Sequence, residues 1–347
     1  MKTDYSYQDK AANIVLQSSL SGKYTASVLA ACPGAGKTTI SQMILNKYTK
    51  MFPSARILVL TEGKNVLKNQ YLSELDNSHV EIGFTYGGFD SDAQVRVGLP
   101  QSINQLTWDK IDMILVDEAH NFFLADMVQK IVKKLNPTYK ILMTGSPTQF
   151  NGKNEYAIHY IAAEELMQHG VFSSVSMDVA RCIDKKNPWR AMEAVLVAAK
   201  QKRDDTSKMM VACPTIEYAE KVRDYIEYIG LSVSLSTSAN DKDDTEIQKF
   251  KNGETKVLIV VGKGILGFND REITLIADLR SSSNLDVSYQ LFARALRTHP
   301  EGIRKTYYRI SDKDYNNQVL NLHKMMALMR RSIFKGFTGK NMTLEVL

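Results

Sequence analysis

The sequence is poor in the residues that mark secreted, metal-binding and membrane-spanning proteins. Its 347 residues include three cysteines, at positions 32, 182 and 213, whose spacing fits neither a disulfide framework nor a zinc site. The six histidines show no ligand spacing either. No apolar stretch approaches the roughly 20 residues that cross a bilayer, and the first ten residues lack the apolar core of a signal peptide. We therefore expect a cytoplasmic protein with no membrane partner.

Composition and charge narrow the class of protein without deciding it. Hydrophobic residues make up 44% of the chain and charged residues 24%, as in a soluble globular protein. A chain of this length is comfortable for two domains. The net charge of +6 suits a polyanion partner such as nucleic acid, although many basic proteins bind none.

Apolar β-branched runs alternate with stretches of helical period, a pattern that predicts parallel α/β architecture. We expect strands near 27–31, 56–60, 112–116 and 140–143, then near 208–213, 256–261, 273–279 and 305–310. Helices are expected near 38–48, 66–75, 126–135, 189–202, 216–229 and 288–296. The fold class is therefore two tandem lobes, each a mostly parallel sheet flanked by helices. A polar run places the linker at 183–187, between a first lobe at 1–182 and a second at 188–315.

The last segment, 316–347, combines apolar residues at helical spacing with lysines and arginines. It predicts a basic helical tail packed on the second lobe with a solvated face. A tail that binds a protein partner or nucleic acid is the alternative.

A phosphate-binding loop follows the first strand, in the run ACPGAGKT that ends at Thr38. Gly34 and Gly36 permit close approach of the backbone to phosphates, and the next helix presents its N-terminus to them. Lys37 can pair the β- and γ-phosphates of ATP, and Thr38 can hold Mg²⁺ through its hydroxyl. The predicted nucleotide-binding residues of this segment are Pro33, Gly34, Ala35, Gly36, Lys37, Thr38 and Thr39.

Two acids follow the strand near 112–116, in the run DEAH at 117–120. Asp117 is predicted to bind Mg²⁺, and Glu118 to act as the general base for the attacking water. Such a pair alone is often a solvated turn, but the phosphate loop upstream favours ATP hydrolysis. His120 is added to the nucleotide-binding residues.

These motifs resemble those of superfamily 2 helicases, and the resemblance runs in order along nearly the whole chain. The further motifs are YSYQ at 5–8, LTEGK at 60–64, LPQS at 99–102, TGSP at 144–147, CPT at 213–215, GKGILGFN at 262–269 and QLFARALR at 290–297. The resemblance implies RecA-like lobes with ATP and Mg²⁺ between them. It also implies that Tyr7 and Gln8 read adenine. Asn269 and Ala293 depart from the family pattern.

The last motif also has a physical interpretation. Arg294 and Arg297 are three residues apart on an expected helix and point the same way, one turn after Gln290. The arginines can neutralise charge on the γ-phosphate, as an arginine finger does. A solvated basic helix face is the alternative. Loops at strand ends are expected to contact nucleic-acid phosphates without base specificity, through Thr61, Gly63, Lys64, Gln101, Ser102, Thr215, Lys263 and Gly264.

The resemblance favours a DNA helicase or translocase, because TGSP replaces the SAT motif of most RNA-remodelling relatives. RNA helicase activity, a motor subunit activated by a protein partner, and an ATP-gated binding module are the alternatives. A viral packaging ATPase would carry a nuclease domain with clustered acids in place of the second-lobe motifs. The short chain looks like the small helicases of bacteriophages, which implies a monomer acting in the host cytoplasm.

Overall fold

The computed structural model describes most of the chain in two compact units. The described residues are 3–61, 81–86, 89–90, 92–101, 106–145, 150, 153–161, 163–262, 270–280, 285–314, 316–322 and 324. The expected helix near 66–75, the segment 263–269 and most of the expected tail lie outside them. Within the described part of the chain, no helix is both long enough and apolar enough to cross a membrane.

The first unit comprises Asp4–Glu165 and is built on an eight-stranded sheet. The strand order is β4-β3-β5-β2-β6-β7-β1-β8, with every neighbouring pair parallel except β3 and β4. Its elements are α1 (Ser6–Leu20), β1 (Ala26–Ala31), α2 (Lys37–Met51), β2 (Ile57–Leu60), β3 (Ile82–Tyr86), β4 (Phe89–Asp90), β5 (Val95–Gly98), β6 (Met113–Val116), α3 (Ala119–Phe122), α4 (Asp126–Leu135), β7 (Tyr139–Thr144) and β8 (Tyr156–Ile161). A short helix, α5 (Ala163–Gln168), crosses the division to the second unit.

The central strands of this sheet are covered on both faces, which explains their uninterrupted apolar sequences. Every residue of β1, β2 and β6 is buried. The strand β7 lies between β1 and β6, so the loop after β1 and the acids after β6 are delivered to the same carboxyl edge of the sheet. This edge is where open parallel sheets place ligands.

The second unit contains the described residues of 166–330 and a wholly parallel six-stranded sheet. The strand order is β11-β12-β10-β13-β14-β9. Its elements are β9 (Val175–Arg181), α6 (Pro188–Lys202), β10 (Met209–Ala212), α7 (Ile216–Tyr228), β11 (Val233–Ser236), α8 (Thr245–Lys251), β12 (Val257–Val260), β13 (Leu275–Asp278), α9 (Leu285–Leu296) and β14 (Lys305–Ser311).

The two units divide earlier in the chain than the predicted linker at 183–187. The strand β9 precedes that linker but pairs with β14 along its full length, from Val175 to Arg181. The polar run is a loop inside the second unit, and Asn187 ends it by capping α6, where its side chain accepts from the N–H groups of Trp189 and Arg190. Residues 166–182, which we had expected in the first lobe, therefore belong to the second.

Candidate nucleotide site

The loop after β1 has the backbone geometry of a phosphate cradle. Gly34 and Gly36 take φ values of 99° and 80°, in the left-handed region that favours glycine. Lys37 is the first residue of α2, so the free N–H groups of this helix point out of the loop. Thr38 and Thr39 follow in the first turn and are half-buried. The positive end of the helix and the turned backbone together favour an anion.

The helix α1 packs against this loop through the two residues expected to read adenine. The Tyr7 hydroxyl donates to the carbonyl oxygen of Ala35 at 2.8 Å, and Gln8 Nε2 approaches the same oxygen at 3.4 Å. A Cβ atom on Gly36 would lie 2.2 Å from Gln8 Nε2, so only glycine allows this approach. Both side chains therefore support the shape of the loop. Their contact with adenine stays a prediction.

The acidic pair lies beside the loop lysine. Lys37 Nζ is 3.3 Å from Glu118 Oε1, with side chains 8% and 22% exposed. Asp117 is buried and accepts from the Glu118 N–H at 3.0 Å. Glu118 has φ 46°, a left-handed conformation that costs a non-glycine residue energy and is typical of functional positions. The structure thus brings Lys37, Asp117 and Glu118 together, as the sequence predicts.

A histidine and a threonine extend this group. His120 Nδ1 lies 3.5 Å from Glu118 Oε2 and 3.0 Å from Thr144 Oγ1. Thr144 is the last residue of β7, which lies between β1, the strand before the phosphate loop, and β6, the strand before the acidic pair. Sequence reasoning identified the TGSP segment but did not assign Thr144 to the site. The signal was its place at the carboxyl end of a buried strand, where β1 and β6 also deliver their residues.

The donor set fits a magnesium nucleotide. The phosphates can be bound by the backbone N–H groups of the glycine-containing loop, by the N-terminus of α2 and by the buried ammonium group of Lys37. The Asp117 carboxylate and the Thr38 hydroxyl supply hard oxygen ligands, which Mg²⁺ prefers.

The second unit carries the arginines expected to assist the reaction. Gln290 lies in the middle of α9, Arg294 in its last turn and Arg297 just beyond it, and Arg294 is buried. Nearby, Lys305 at the start of β14 donates from Nζ to the carbonyl oxygen of Arg271 at 2.7 Å. Burial lowers the pKa of Lys305 to about 7, an effect that the charge of Asp270 opposes and the charges of Arg297 and Arg271 reinforce.

The residues expected to contact nucleic acid are only partly described. Thr61 directly follows β2 and is 1% exposed, whereas Gln101 is exposed. The Thr215 hydroxyl caps α7 by accepting from the Tyr218 N–H at 3.2 Å. These contacts stay predictions, and the remaining residues lie outside the described part of the chain, namely Gly63, Lys64, Ser102, Lys263 and Gly264.

The fold and the loop define a protein of two tandem RecA-like lobes, the first carrying a phosphate-binding loop. Comparison with known families matches residues 2–149 to the family described as type III restriction enzyme, res subunit. No curated protein matches the chain.

Several solved structures share this fold. One is Dbp5 of S. cerevisiae bound to RNA and ADP BeF3, with 13% identity, coverage of 92% of this chain and 86% of that chain, and a TM-score of 0.63. Another is a DEAD box protein of Methanococcus jannaschii, with 17% identity, coverage of 95% and 91%, and a TM-score of 0.54. A third is a fragment of a putative HsdR subunit of a type I restriction enzyme from Vibrio vulnificus, with 18% identity, coverage of 90% and 64%, and a TM-score of 0.68.

These likenesses confirm the fold class expected from the sequence. The family match covers residues 2–149 of the first lobe, and the solved structures share the two-lobed fold.

Proposed function

We propose that this protein is a nucleic-acid-dependent ATPase that moves along DNA. The observation that carries the proposal is the group formed by Lys37, Glu118 and His120 at the end of a glycine-shaped loop. A buried lysine beside a carboxylate in a strained backbone conformation is suited to hydrolysis of a phosphoanhydride. The family match at residues 2–149 supports the same chemistry.

Each residue of the first lobe has a distinct task in this proposal. The loop N–H groups and Lys37 bind the phosphates, and Thr38 and Asp117 hold Mg²⁺. Bound Mg²⁺ supplies charge neutralisation on the phosphate oxygens. Glu118 accepts the proton of the attacking water, so it must first be released from Lys37, to which it is now paired at 3.3 Å. His120, whose Nδ1 lies 3.5 Å from Glu118 Oε2, stays beside the carboxylate while Lys37 turns to the phosphates.

The arginines of α9 give the second lobe a role in the same reaction. Arg294 and Arg297 carry fixed positive charges that can stabilise the charge developing on the γ-phosphate. Because they belong to a different compact unit from Lys37, their part in hydrolysis would make the reaction depend on both units. This dependence is what would convert hydrolysis into movement on a strand.

DNA is the preferred track in this proposal, with RNA as the second candidate. The res-subunit family match and the fold shared with the HsdR fragment favour DNA. The solved relative bound to RNA favours the alternative. We further propose a cytoplasmic monomer with a protein partner at the tail of 316–347.

ATP hydrolysis measured with a panel of nucleic acids tests the proposal. The purified protein is assayed alone and with single-stranded DNA, duplex DNA or RNA, in parallel with Lys37→Ala. We expect DNA to raise kcat at least about 10-fold, and Lys37→Ala to abolish turnover. Stimulation by RNA alone would move the activity to RNA. Turnover indifferent to every nucleic acid would sink the proposal and favour a partner-activated ATPase.

A further inference from the structure

Two adjacent tyrosines on β14 face opposite sides of the second sheet. Tyr307 and Tyr308 are both fully buried. Tyr308 belongs to the hydrophobic core shared with α6 and α7. Tyr307 instead packs edge-to-face against Phe292 of α9, with ring centroids 5.4 Å apart and planes at 80°. Because side chains alternate along a strand, α9 covers the face opposite α6 and α7.

The sheet face beneath α9 contains a buried carboxylate, which is unusual for a sheet interior. Asp278 is completely buried at the end of β13 and accepts from the Tyr307 hydroxyl at 2.7 Å. The same carboxylate accepts from Arg280 Nε at 2.7 Å and from its Nη2 at 2.9 Å. Burial alone would raise the pKa of Asp278, but the bonds and charge of Arg280, together with the charge of Arg309 and the bond from Tyr307, outweigh burial, and the pKa is lowered. The carboxylate is therefore a charged, fixed acceptor for the tyrosine.

An aromatic contact connects this network to α9, the helix that carries Arg294. Phe292 lies between Gln290 and Arg294 in the sequence of α9. At about 100° per residue, Arg294 projects about 160° away from Phe292 around the helix, and Arg297 directly follows the last helical residue. A rotation of α9 by about 10° would move a point on its outer surface by about 1 Å. A misplacement of that size can lower a reaction rate by about 100-fold.

We propose that Tyr307 is a positioning residue for the arginines, holding α9 in one rotation by tying Phe292 to the buried Asp278. The inference rests on the proposed function, because it gives Arg294 and Arg297 their task in hydrolysis. Arg280 fixes the same carboxylate by donating hydrogen bonds to both of its oxygens. The loss of one hydroxyl would leave the ring free to shift and α9 free to turn.

The neighbouring tyrosine provides a matched control. The Tyr308 hydroxyl donates to Asp204 Oδ2 at 2.5 Å, so Tyr307→Phe and Tyr308→Phe each remove one buried hydroxyl bonded to one carboxylate. We expect both variants to fold, with melting temperatures lower by about 2–4 °C. Steady-state ATP hydrolysis, with DNA at saturation, then separates positioning from a general loss of stability.

We expect Tyr307→Phe to lower kcat about 10-fold with the KM for ATP within about twofold, because first-lobe residues bind ATP. Tyr308→Phe should keep kcat within about twofold. Equal effects of the two substitutions, or an unchanged kcat in Tyr307→Phe, would overturn the positioning role while leaving the ATPase intact. Absence of hydrolysis in the unsubstituted protein would overturn the proposed function and the inference with it.

Discussion

Because Lys37 is paired with Glu118, we expect the substitution Glu118→Gln to change ATP affinity as well as the rate of hydrolysis. Lys37 Nζ and Glu118 Oε1 lie 3.3 Å apart. At an effective dielectric constant of about 20, unit charges at that distance attract by about 5 kcal/mol. Because the carboxylate is partly exposed and both groups lose hydration, we expect a net value of only about 1–2 kcal/mol. ATP phosphates must overcome this attraction before Lys37 can bind them.

Glu118→Gln should therefore bind ATP more tightly while hydrolysing it far more slowly. Removing 1–2 kcal/mol of competition corresponds to a Kd lower by about 5- to 30-fold. Turnover should fall at least about 100-fold, because an amide cannot accept the proton of water. Titration with a fluorescent ATP analogue measures the affinity, and phosphate release measures the rate.

The control is Asp9→Asn, which removes a comparable first-lobe pair, since Lys47 Nζ lies 2.9 Å from Asp9 Oδ1. This variant should change neither the affinity nor the rate. An unchanged or weaker affinity of Glu118→Gln would refute the argument that the pair competes with nucleotide.

Three further substitutions test other parts of the account. Gly36→Ala should weaken ATP binding at least about 10-fold, because φ of 80° costs alanine about 1–3 kcal/mol and the new Cβ would displace Gln8; unchanged affinity would contradict this. Arg294→Ala should lower kcat about 1000-fold, whereas the exposed Arg190→Ala should not; a similar kcat in both would remove the finger role. Burial lowers the pKa of Lys305 from 10.5 to about 7, so between these pH values the unfolded chain keeps a proton on Lys305 that the folded protein has lost. The free energy of unfolding should therefore rise with pH in this range, by up to about 1.4 kcal/mol per pH unit. Lys305→Met should abolish that rise in urea unfolding, and an equal dependence on pH in both proteins would refute the argument.

The strands that are easiest to predict from the sequence are continuous apolar runs in which every residue is buried. β1, β6, β10 and β12 are continuous apolar runs, and each appears near its expected position. β5 and β9 were not expected, because VRVG and VSMDVAR mix charged residues into the strand. In β5 the charge is hidden by a distant partner: Arg96 is 2% exposed and stacks 3.9 Å above the Trp108 ring. A local pattern cannot contain that pairing.

The candidate site divides in the same way. The phosphate loop is one continuous stretch of sequence, and so is the acidic pair. Residue type and spacing therefore identify each of them, and their positions after two strands predict that they meet at one sheet edge. The contact of Thr144 with His120 depends on the strand order, which places β7 between β1 and β6. The network of Tyr307 and Asp278 joins residues 29 positions apart on two strands. Such contacts follow from topology and packing, to which a single sequence gives no direct access.

ATP-driven movement on a strand is the central claim, and displacement of streptavidin from biotin-ended single-stranded DNA tests it most directly. The purified protein is mixed with the labelled strand and ATP, with a nonhydrolysable ATP analogue and Lys37→Ala as controls. The account predicts displacement with ATP from one end of the strand, and none with the analogue or with Lys37→Ala. Hydrolysis stimulated by DNA without displacement from either end would contradict it and leave an ATP-gated binding module.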